Sequence, residues 1–147
     1  TIKWPNDILL NHKKICGILV ESVYQGPLRA LVVGFGLNIN NTYFPEDIKT
    51  IASSLKLQRQ KDYEIDKISL SILNYFEDHF DILKNQSQTI IDYCNQHLAY
   101  KGLTKSFLTQ KGKQKGQIIN IDTQGHLLIK TNDGVQRLIT GEISWDK

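Results

Sequence analysis

The residues best suited to chemistry lie near the start of the chain. A Lys-Trp-Pro-Asn-Asp run occupies residues 3–7, and another lysine follows at position 14. The run and this lysine bring together an amide, a carboxylate and two ammonium groups, on Asn6, Asp7, Lys3 and Lys14. One or two carboxylates suffice for Mg²⁺ when phosphates supply further ligands, and lysine acts toward phosphate as a positive point charge. These residue types are compatible with a site for a phosphate-bearing ligand.

Each of these residues also has an interpretation that needs no ligand. Asp7 fits a turn or cap position, and a lysine beside a hairpin turn is usually only solvated, as we expect for Lys13. Gly17 either lets a ligand or another backbone approach a strand closely or marks a simple bulge. Trp4 is expected to pack rather than to react. Leu19 is an apolar strand residue and needs no ligand to explain it.

A second polar and glycine-rich segment, Gly-Phe-Gly-Leu-Asn-Ile-Asn, occupies residues 34–40 at the end of an apolar stretch. Its Gly-x-Gly start lacks the third glycine of the dinucleotide-binding fingerprint, because Ile39 stands in that place and no helix start follows. A Rossmann-type dinucleotide site is therefore excluded. By themselves, Asn38 and Asn40 need only close a turn.

The cysteines and histidines indicate neither a disulfide framework nor a structural metal site. The four histidines form no H-x-x-x-H or Cys/His grouping. Cys16 and Cys94 are far apart and belong to no C-x-x-C spacing. A reduced, cytoplasmic protein is the simplest interpretation, and a bridge between the two thiols stays open. No signal peptide is visible at the start.

Composition sets the class of protein and of partner. Of the 147 residues, 40% are hydrophobic, which is enough for a real core. The net charge of +3 gives no strong reason to expect a nucleic-acid or membrane partner. No apolar run reaches the ~18 residues of a membrane span. The lysines are scattered, apart from a group that we expect at a solvated hairpin tip, at Lys111, Lys113 and Lys115.

The elements that must position the site begin with a series of strands. Residues 8–10 and 15–24 are rich in apolar and β-branched side chains and flank a polar turn, which predicts a hairpin. Residues 25–27 turn the chain again, and residues 28–33 form a third strand that leads into Gly34. The apolar runs in these strands indicate a sheet with at least one deeply buried face.

Helices follow the sheet. A short helix is expected from Pro45, and a polar break at residues 57–61. From residue 65 to residue 83, apolar side chains recur at helical spacing and predict an amphipathic helix. Ser87 suits the N-cap of one more helix.

The pattern changes after Gly102, where short β-rich stretches alternate with turns. The turn signals lie at residues 112–115, 122–125 and 132–134. The last of them contains Asp-Gly between two apolar runs, which favours a hairpin. Four or five strands in fewer than 50 residues suggest a small barrel. We therefore predict a domain boundary near residue 101.

Taken together, the Lys-Trp-Pro-Asn-Asp run, the spaced Lys14 and Gly17, and the Gly-x-Gly-x-Asn-x-Asn segment resemble the central signature of biotin protein ligases. These enzymes activate biotin with ATP and attach it to a lysine of a carrier domain. The resemblance implies an α+β fold, with a mixed or antiparallel sheet and helices, followed by a small SH3-like β-barrel. Residues 1–100 would then be the C-terminal part of the catalytic domain, and residues 101–147 the SH3-like domain.

The resemblance also implies roles for the catalytic pair and the adenine contacts. Asp7 matches the aspartate that is associated with Mg²⁺, and Lys14 matches the lysine that contacts the carboxylate and phosphate of the biotinyl-adenylate. Asn6 and Asn38 would contact the purine edge, and Leu37 would supply an apolar face. The substrates and cofactors implied are biotin, ATP and Mg²⁺.

Three more residues complete the implied substrate- and nucleotide-binding set. Lys3 would meet phosphate oxygens as a mobile point charge, Gly17 would allow close approach, and Leu19 would line the biotin pocket. The implied activity is that of a biotin–[acetyl-CoA-carboxylase] ligase, whose partner is the biotin carboxyl carrier domain of acetyl-CoA carboxylase. A homodimer stays open.

In this family a Gly/Arg-rich loop that binds nucleotide and biotin lies upstream of the Lys-Trp-Pro-Asn-Asp run. The chain starts at Thr1, too late to contain this loop, so we expect little activity from the chain alone. Two alternatives remain. One is a non-catalytic module that binds a protein partner, and the other is a relative of the lipoate-protein ligases, which share the catalytic fold but carry a different terminal module.

Overall fold

The fold was analysed in a computed structural model that describes residues 1–109 and 112–145. The chain divides into two compact units, one of Asn6–Tyr63 and one that joins Thr1–Pro5 to Glu64–Lys147. This division does not coincide with the boundary expected near residue 101, and the assignment of residues 1–100 and 101–147 to two domains stays a prediction. In the described part of the chain, every helix is too short or too polar to cross a membrane.

The unit Asn6–Tyr63 is built on an antiparallel sheet. The chain starts with a short strand outside this unit, β1 (Ile2–Lys3), and the sheet of the unit then contains β2 (Asp7–Leu10), β3 (Lys13–Gln25) and β4 (Leu28–Leu37). The predicted hairpin is confirmed, with a turn of only Asn11 and His12, whose φ angles are 49° and 64°. Two successive residues in the left-handed region are what a tight hairpin turn requires.

The deeply buried sheet face that we expected here is wrong for β3 and β4. Val20, Leu31 and Val32 are 55%, 68% and 53% exposed. The apolar pattern correctly indicates strands, because the two strands pair without interruption from Cys16 with Leu37 to Gln25 with Leu28. Burial additionally requires a layer packed on the sheet, and within the described residues no layer covers these side chains.

The rest of this unit forms turns and one short helix, α1 (Leu55–Arg59). The helix begins where the buried Ser54 caps it, since the Ser54 Oγ accepts a hydrogen bond of 3.1 Å from the Leu57 backbone N–H. The expected helix from Pro45 is wrong, and the expected break at residues 57–61 is wrong for residues 57–59, which belong to α1. Residues 46–51 form turns, and the buried cap places the helix later.

Three helices open the second unit, α2 (Ile65–Asp78), α3 (Phe80–Asn85) and α4 (Ser87–Gln96). The two predicted helices are confirmed, although the first is interrupted at His79, which ends α2. The helix α2 buries none of its residues. By contrast, α4 is fastened to the following sheet because the Asn95 amide donates to the Ile121 carbonyl at 2.8 Å and accepts from the Ile121 N–H at 2.6 Å.

A five-stranded antiparallel sheet completes the second unit, in the order β8-β7-β6-β5-β9. Its strands are β5 (Thr104–Thr109), β6 (Gly112–Ile121), β7 (Leu127–Thr131), β8 (Gly134–Leu138) and β9 (Glu142–Ile143). The α+β class with antiparallel sheets is therefore confirmed, and so is the Asp-Gly hairpin between β7 and β8. Closure of the strands into an SH3-like barrel stays a prediction.

The predicted turn at residues 112–115 is wrong, because these residues lie inside β6. Lys113 and Lys115 are exposed, as expected, but they project from a strand rather than from a hairpin tip. Lys111 lies outside the described residues. The core of the unit consists of Leu98, side chains from all five strands, and Trp4 from the start of the chain, with Phe107, Leu127, Ile129 and Ile143 fully buried.

Candidate active site

The site is centred on a lysine–carboxylate pair between β2 and β3. The Lys14 ammonium lies 2.6 Å from Oδ1 of Asp7. The Asp7 side chain is only 7% exposed, whereas that of Lys14 is 40% exposed. A buried carboxylate is costly unless it is paired and hydrogen-bonded, so Lys14 makes the position of Asp7 tolerable. The exposed lysine can in turn meet a charged ligand.

A β-bulge brings Lys14 onto the same face of the sheet as Asp7. Asp7 pairs with Gly17, and the register then shifts so that Leu9 pairs with Lys14. Positions 14 and 17 are three residues apart, so in a regular strand their side chains would point to opposite faces. The bulge adds one residue to β3, so the side chain of Lys14 comes to the same sheet face as Gly17 and lies above it.

The backbone of Lys14 is held from its other side as well. The Lys14 N–H donates to the Ile51 carbonyl at 2.7 Å, and the Lys14 carbonyl accepts from the Ser53 N–H at 2.9 Å. The segment at residues 51–53 thus takes the place of a neighbouring strand at the point where β4 has ended. Hydrogen bonds on both sides leave the Lys14 main chain little freedom, and only its side chain reaches outward.

Gly17 leaves room for the end of the Lys14 side chain. A Cβ atom at position 17 would lie 3.2 Å from the Lys14 Nζ, 3.3 Å from its Cε and 3.7 Å from the Asp7 Oδ1. Two glycines continue the strip of bare backbone across the neighbouring strand, because Gly36 pairs with Gly17 and Gly34 pairs with Leu19. The missing side chains form a flat floor beside the charged pair.

A shallow cleft of about 470 Å³ lies on this part of the sheet. It is lined by Asn6, Gly17, Ile18, Leu19, Gly34, Phe35 and Gly36. The structure thus brings together three of the residues that were expected to bind substrate. Phe35 and Gly34 were missed, although the pairing of β3 with β4 follows from their predicted hairpin and brings Gly34 opposite Leu19.

The two asparagines expected at adenine both contact the protein backbone. The Asn6 Nδ2 donates to the Ile18 carbonyl at 2.9 Å, and the Asn38 Nδ2 donates to the Ser53 carbonyl at 3.1 Å. Asn38 therefore fastens the loop that holds Lys14. Leu37 pairs with Cys16, so the strand alternation directs it to the sheet face opposite the glycines.

Lys3 belongs to the other compact unit and is almost completely buried, at 1% exposure. Its ammonium lies 3.5 Å from the Glu142 Oε1 and 4.4 Å from the centroid of the Trp145 ring. The expectation of a mobile point charge at Lys3 is therefore wrong, because a carboxylate and an aromatic face hold the ammonium in place. Neither contact is visible in the sequence.

Cys16 lies next to the charged pair, and both charges affect the pKa of its thiol. Burial raises the pKa of the Cys16 thiol, the positive charge of Lys14 acts to lower it, and the negative charge of Asp7 raises it further. Both cysteines are free thiols, Cys16 buried and Cys94 partly buried. The bridge that the sequence left open does not form.

The surroundings of Asp7 form no resident metal site within the described part of the chain. Among residues 1–109 and 112–145, no three His, Cys, Asp or Glu side chains come together as potential metal ligands. A single carboxylate nevertheless fits a Mg²⁺ ion whose other ligands are nucleotide phosphates and water. The donor set therefore suits a metal that arrives with a nucleotide.

Comparisons with known proteins agree with this geometry. The Biotin/lipoate A/B protein ligase family matches residues 1–38. The bifunctional ligase/repressor BirA of Bacillus subtilis (strain 168) is 32% identical over 146 residues, which are 97% of this chain and 45% of that protein. The biotin–[acetyl-CoA-carboxylase] ligase of Paracoccus denitrificans is 56% identical over 39 residues, which are 26% of this chain and 16% of that protein.

A solved structure extends the match to the whole fold. The biotin protein ligase from Aquifex aeolicus in complex with biotin and ATP has a TM-score of 0.84 and 29% identity to this chain, over 97% of this chain and 60% of that one. Both compact units are thus covered, and residues 1–38, where the charged pair and the glycine floor lie, carry the match to the biotin/lipoate ligase class.

Within this class, the Paracoccus and Aquifex proteins are ligases for biotin by name. Over 97% of its length, the chain is similar to biotin protein ligases in sequence and fold. It spans about half of the Bacillus relative, 45% of its length.

Proposed function

We propose that this chain forms part of a biotin–[acetyl-CoA-carboxylase] ligase. In this reaction the biotin carboxylate attacks the α-phosphate of ATP, which forms biotinyl-5′-AMP and releases pyrophosphate. An acceptor lysine then attacks the mixed anhydride, which forms an amide and releases AMP. The observation that carries the proposal is the Lys14–Asp7 pair of 2.6 Å beside a cleft floored by glycines, within the residues that match the family.

Lys14 has the charge and exposure that adenylate formation requires. Two anions, the biotin carboxylate and the α-phosphate, must approach each other in this step, and a fixed ammonium offsets their repulsion. The main-chain bonds to residues 51–53 and the bulge fix the base of the Lys14 side chain. Such preorganised charge contributes most to the rate when it needs no rearrangement during reaction.

Asp7 is the proposed carboxylate for the Mg²⁺ that accompanies ATP. This ion is part of the substrate, and it supplies neutralisation of the phosphates. Asp7 and Lys14 neutralise each other before the nucleotide arrives, so neither has to be buried as a lone charge. When MgATP binds, the Asp7 carboxylate would contact the cation and the Lys14 ammonium would contact the phosphates.

The cleft suits the flat and apolar parts of the substrates. The bare backbone at Gly17, Gly34 and Gly36 admits a planar ring, and Leu19 supplies an apolar wall for biotin. Asn6 and Asn38 are the proposed purine contacts. Because each Nδ2 already donates to a backbone carbonyl, the contact to adenine would be made by the Oδ1 acceptor. Leu37 is also proposed as an apolar contact, although its side chain lies on the sheet face opposite the glycine floor of the cleft.

Lys3 is a further proposed phosphate-binding residue, but its ammonium already has partners in the protein. Its ammonium already faces Glu142 and Trp145, so a phosphate would have to replace Glu142 as the ionic partner.

The proposed acceptor is the biotin carboxyl carrier domain of acetyl-CoA carboxylase, which is supported by the substrate in the name of the Paracoccus relative. The two free thiols support a cytoplasmic location. The exposed apolar residues of β3 and β4 fit a homodimer and the alternative of a protein-binding module equally.

The test is biotin-dependent exchange of pyrophosphate into ATP, followed by transfer to a carrier domain. We expect this exchange from the ligase that contains this chain, because Lys14 would offset the repulsion between the biotin carboxylate and the α-phosphate. Exchange that depends on lipoate instead of biotin would favour the lipoate-ligase alternative. Absence of exchange with either acid would favour the binding module.

A further inference from the structure

Trp4 belongs to the Lys-Trp-Pro-Asn-Asp run at residues 3–7, here called the signature run, and its side chain is hydrogen-bonded to a turn more than 100 residues later. Trp4 is 4% exposed and belongs to the core of the five-stranded unit. Its indole Nε1 donates a hydrogen bond of 3.0 Å to the carbonyl of Gly125. The backbone of Ile2, two residues before Trp4, is held as well. Its N–H donates to the His97 carbonyl, and its carbonyl accepts from the Ala99 N–H, each at 2.8 Å.

The turn that receives the indole is shaped by Asp122. The Asp122 Oδ1 accepts hydrogen bonds from the backbone N–H groups of Gln124 at 2.9 Å and of His126 at 3.0 Å. Its Oδ2 lies 3.3 Å from the Nδ1 of His126 and 2.9 Å from the Nε of Arg137. This one carboxylate thereby defines the path of the turn between β6 and β7, and with it the direction of the Gly125 carbonyl.

We infer that Trp4 and the Asp122 turn act together as a positioning clamp for the signature run. This inference rests on the proposed function, since it concerns where Asp7 is held during adenylate formation. Trp4 and Asp7 are separated by three peptide units, which span at most about 10 Å. Pro5 also fixes its own φ angle within this stretch. A clamp at Trp4 therefore restricts the space that Asn6 and Asp7 can sample, although neither Trp4 nor Asp122 touches substrate.

A tryptophan that only stabilised the fold would affect activity in a different way. Loss of stability lowers the amount of folded enzyme and leaves the turnover number of the remaining folded molecules unchanged. Loss of positioning lowers the turnover number itself, because catalytic groups lose their productive geometry. The two roles are therefore separable by measuring kcat per folded molecule.

The experiment uses the whole ligase that contains this chain and measures biotin-dependent pyrophosphate exchange. Trp4→Phe keeps an aromatic ring in the core and removes only the N–H donor, whereas Asp122→Ala removes the acceptors that shape the turn. We expect each change to lower kcat about tenfold, equivalent to about 1.4 kcal/mol, with KM for biotin within about twofold. Asp133→Ala, in the exposed turn between β7 and β8, is the matched control and should leave kcat unchanged.

The double variant Trp4→Phe/Asp122→Ala decides whether the two residues act as one unit. Residues that act through one contact show non-additive effects, so the double variant should be no slower than the slower single variant. Additive losses, or single variants with the kcat of the unmodified ligase per folded molecule, would overturn the clamp. Should Trp4→Phe not fold, Asp122→Ala alone decides by its kcat. If the unmodified ligase shows no biotin-dependent exchange, the proposed function fails instead.

Discussion

The Lys14 ammonium and the Asp7 carboxylate lie 2.6 Å apart on neighbouring strands, joined across a β-bulge and above a glycine. This arrangement is neutral as a pair, and the ammonium compensates the charge of a nearly buried carboxylate. It also leaves a lysine that is 40% exposed, held at its base and ready to meet an anion. The pairing of β2 with β3 thus fixes the positions of both charges before any ligand binds.

Replacement of Lys14 by alanine should impair adenylate formation far more than folding. One preorganised contact of this kind typically contributes about 3–4 kcal/mol to transition-state stabilisation, which corresponds to a loss of about 10²–10³ in kcat. The measurement is the rate of biotin-dependent pyrophosphate release by the ligase that contains this chain, normalised to the folded fraction. Lys13→Ala is the matched control, because Lys13 donates to the Lys49 carbonyl instead. Equal rates for the two variants would contradict the role of Lys14.

Gly17→Ala should displace the tip of Lys14 without unfolding the sheet. The added Cβ would lie 3.2 Å from the Lys14 Nζ, and the flexible lysine can move away more easily than the strand. We expect kcat to fall at least about tenfold, equivalent to about 1.4 kcal/mol, with the melting temperature little changed. Ser22→Ala, at an exposed position of the same strand, controls for the substitution. A fully active Gly17→Ala enzyme would show that the close packing has no function.

The Cys16 thiol offers a readout of the charged pair that does not depend on catalysis. Burial is the main cause that raises the pKa of this thiol, while Lys14 lowers it and Asp7 raises it. Lys14→Gln should therefore raise the pKa of Cys16, and Asp7→Asn should lower it. The pH dependence of iodoacetamide labelling at Cys16, followed by mass spectrometry, measures both shifts. Shifts of the same sign in the two variants would contradict the observed arrangement.

The Asp122 turn should lose its stabilising effect in acid. Burial opposes the ionised form of this carboxyl, but the hydrogen bonds from His126 and Gln124 outweigh it and lower the pKa of Asp122. A carboxyl whose folded-state pKa lies below its unfolded value stabilises the fold above the unfolded value, which is about 3.9. That contribution disappears as the pH falls through the folded-state pKa.

The measurement for Asp122 compares the urea midpoints of the unmodified ligase and of Asp122→Asn between pH 7 and pH 3. Unmodified protein should be the more stable of the two at neutral pH, and the difference should shrink below about pH 4. A difference that grows in acid would show that the carboxyl is stabilised in its protonated form, contrary to its hydrogen bonds.

Local features of this protein were predictable from the sequence. The polar turn between residues 10 and 15, the periodicity of α2 and the Asp-Gly hairpin each depend on neighbours only a few residues apart, and all three are confirmed. The signature run also selected Asp7 and Lys14 in advance, and the structure brings these two side chains into contact. The sequence could not show that the side chains of Lys14 and position 17 share one sheet face, because the bulge that aligns them arises only when β2 and β3 pair.

Burial and long-range contacts were decided by the tertiary structure alone. The apolar pattern of β3 and β4 was correctly interpreted as strands, yet most of their side chains beyond Cys16 are exposed, because a pattern does not say which layer covers it. Lys3 is polar by type and nevertheless buried against Trp145. Trp4 and Gly125 are 121 positions apart and share one hydrogen bond. Sequence patterns report interactions between close neighbours, whereas such contacts form only when distant elements pack together and their contact energy repays the entropy of closing a long loop.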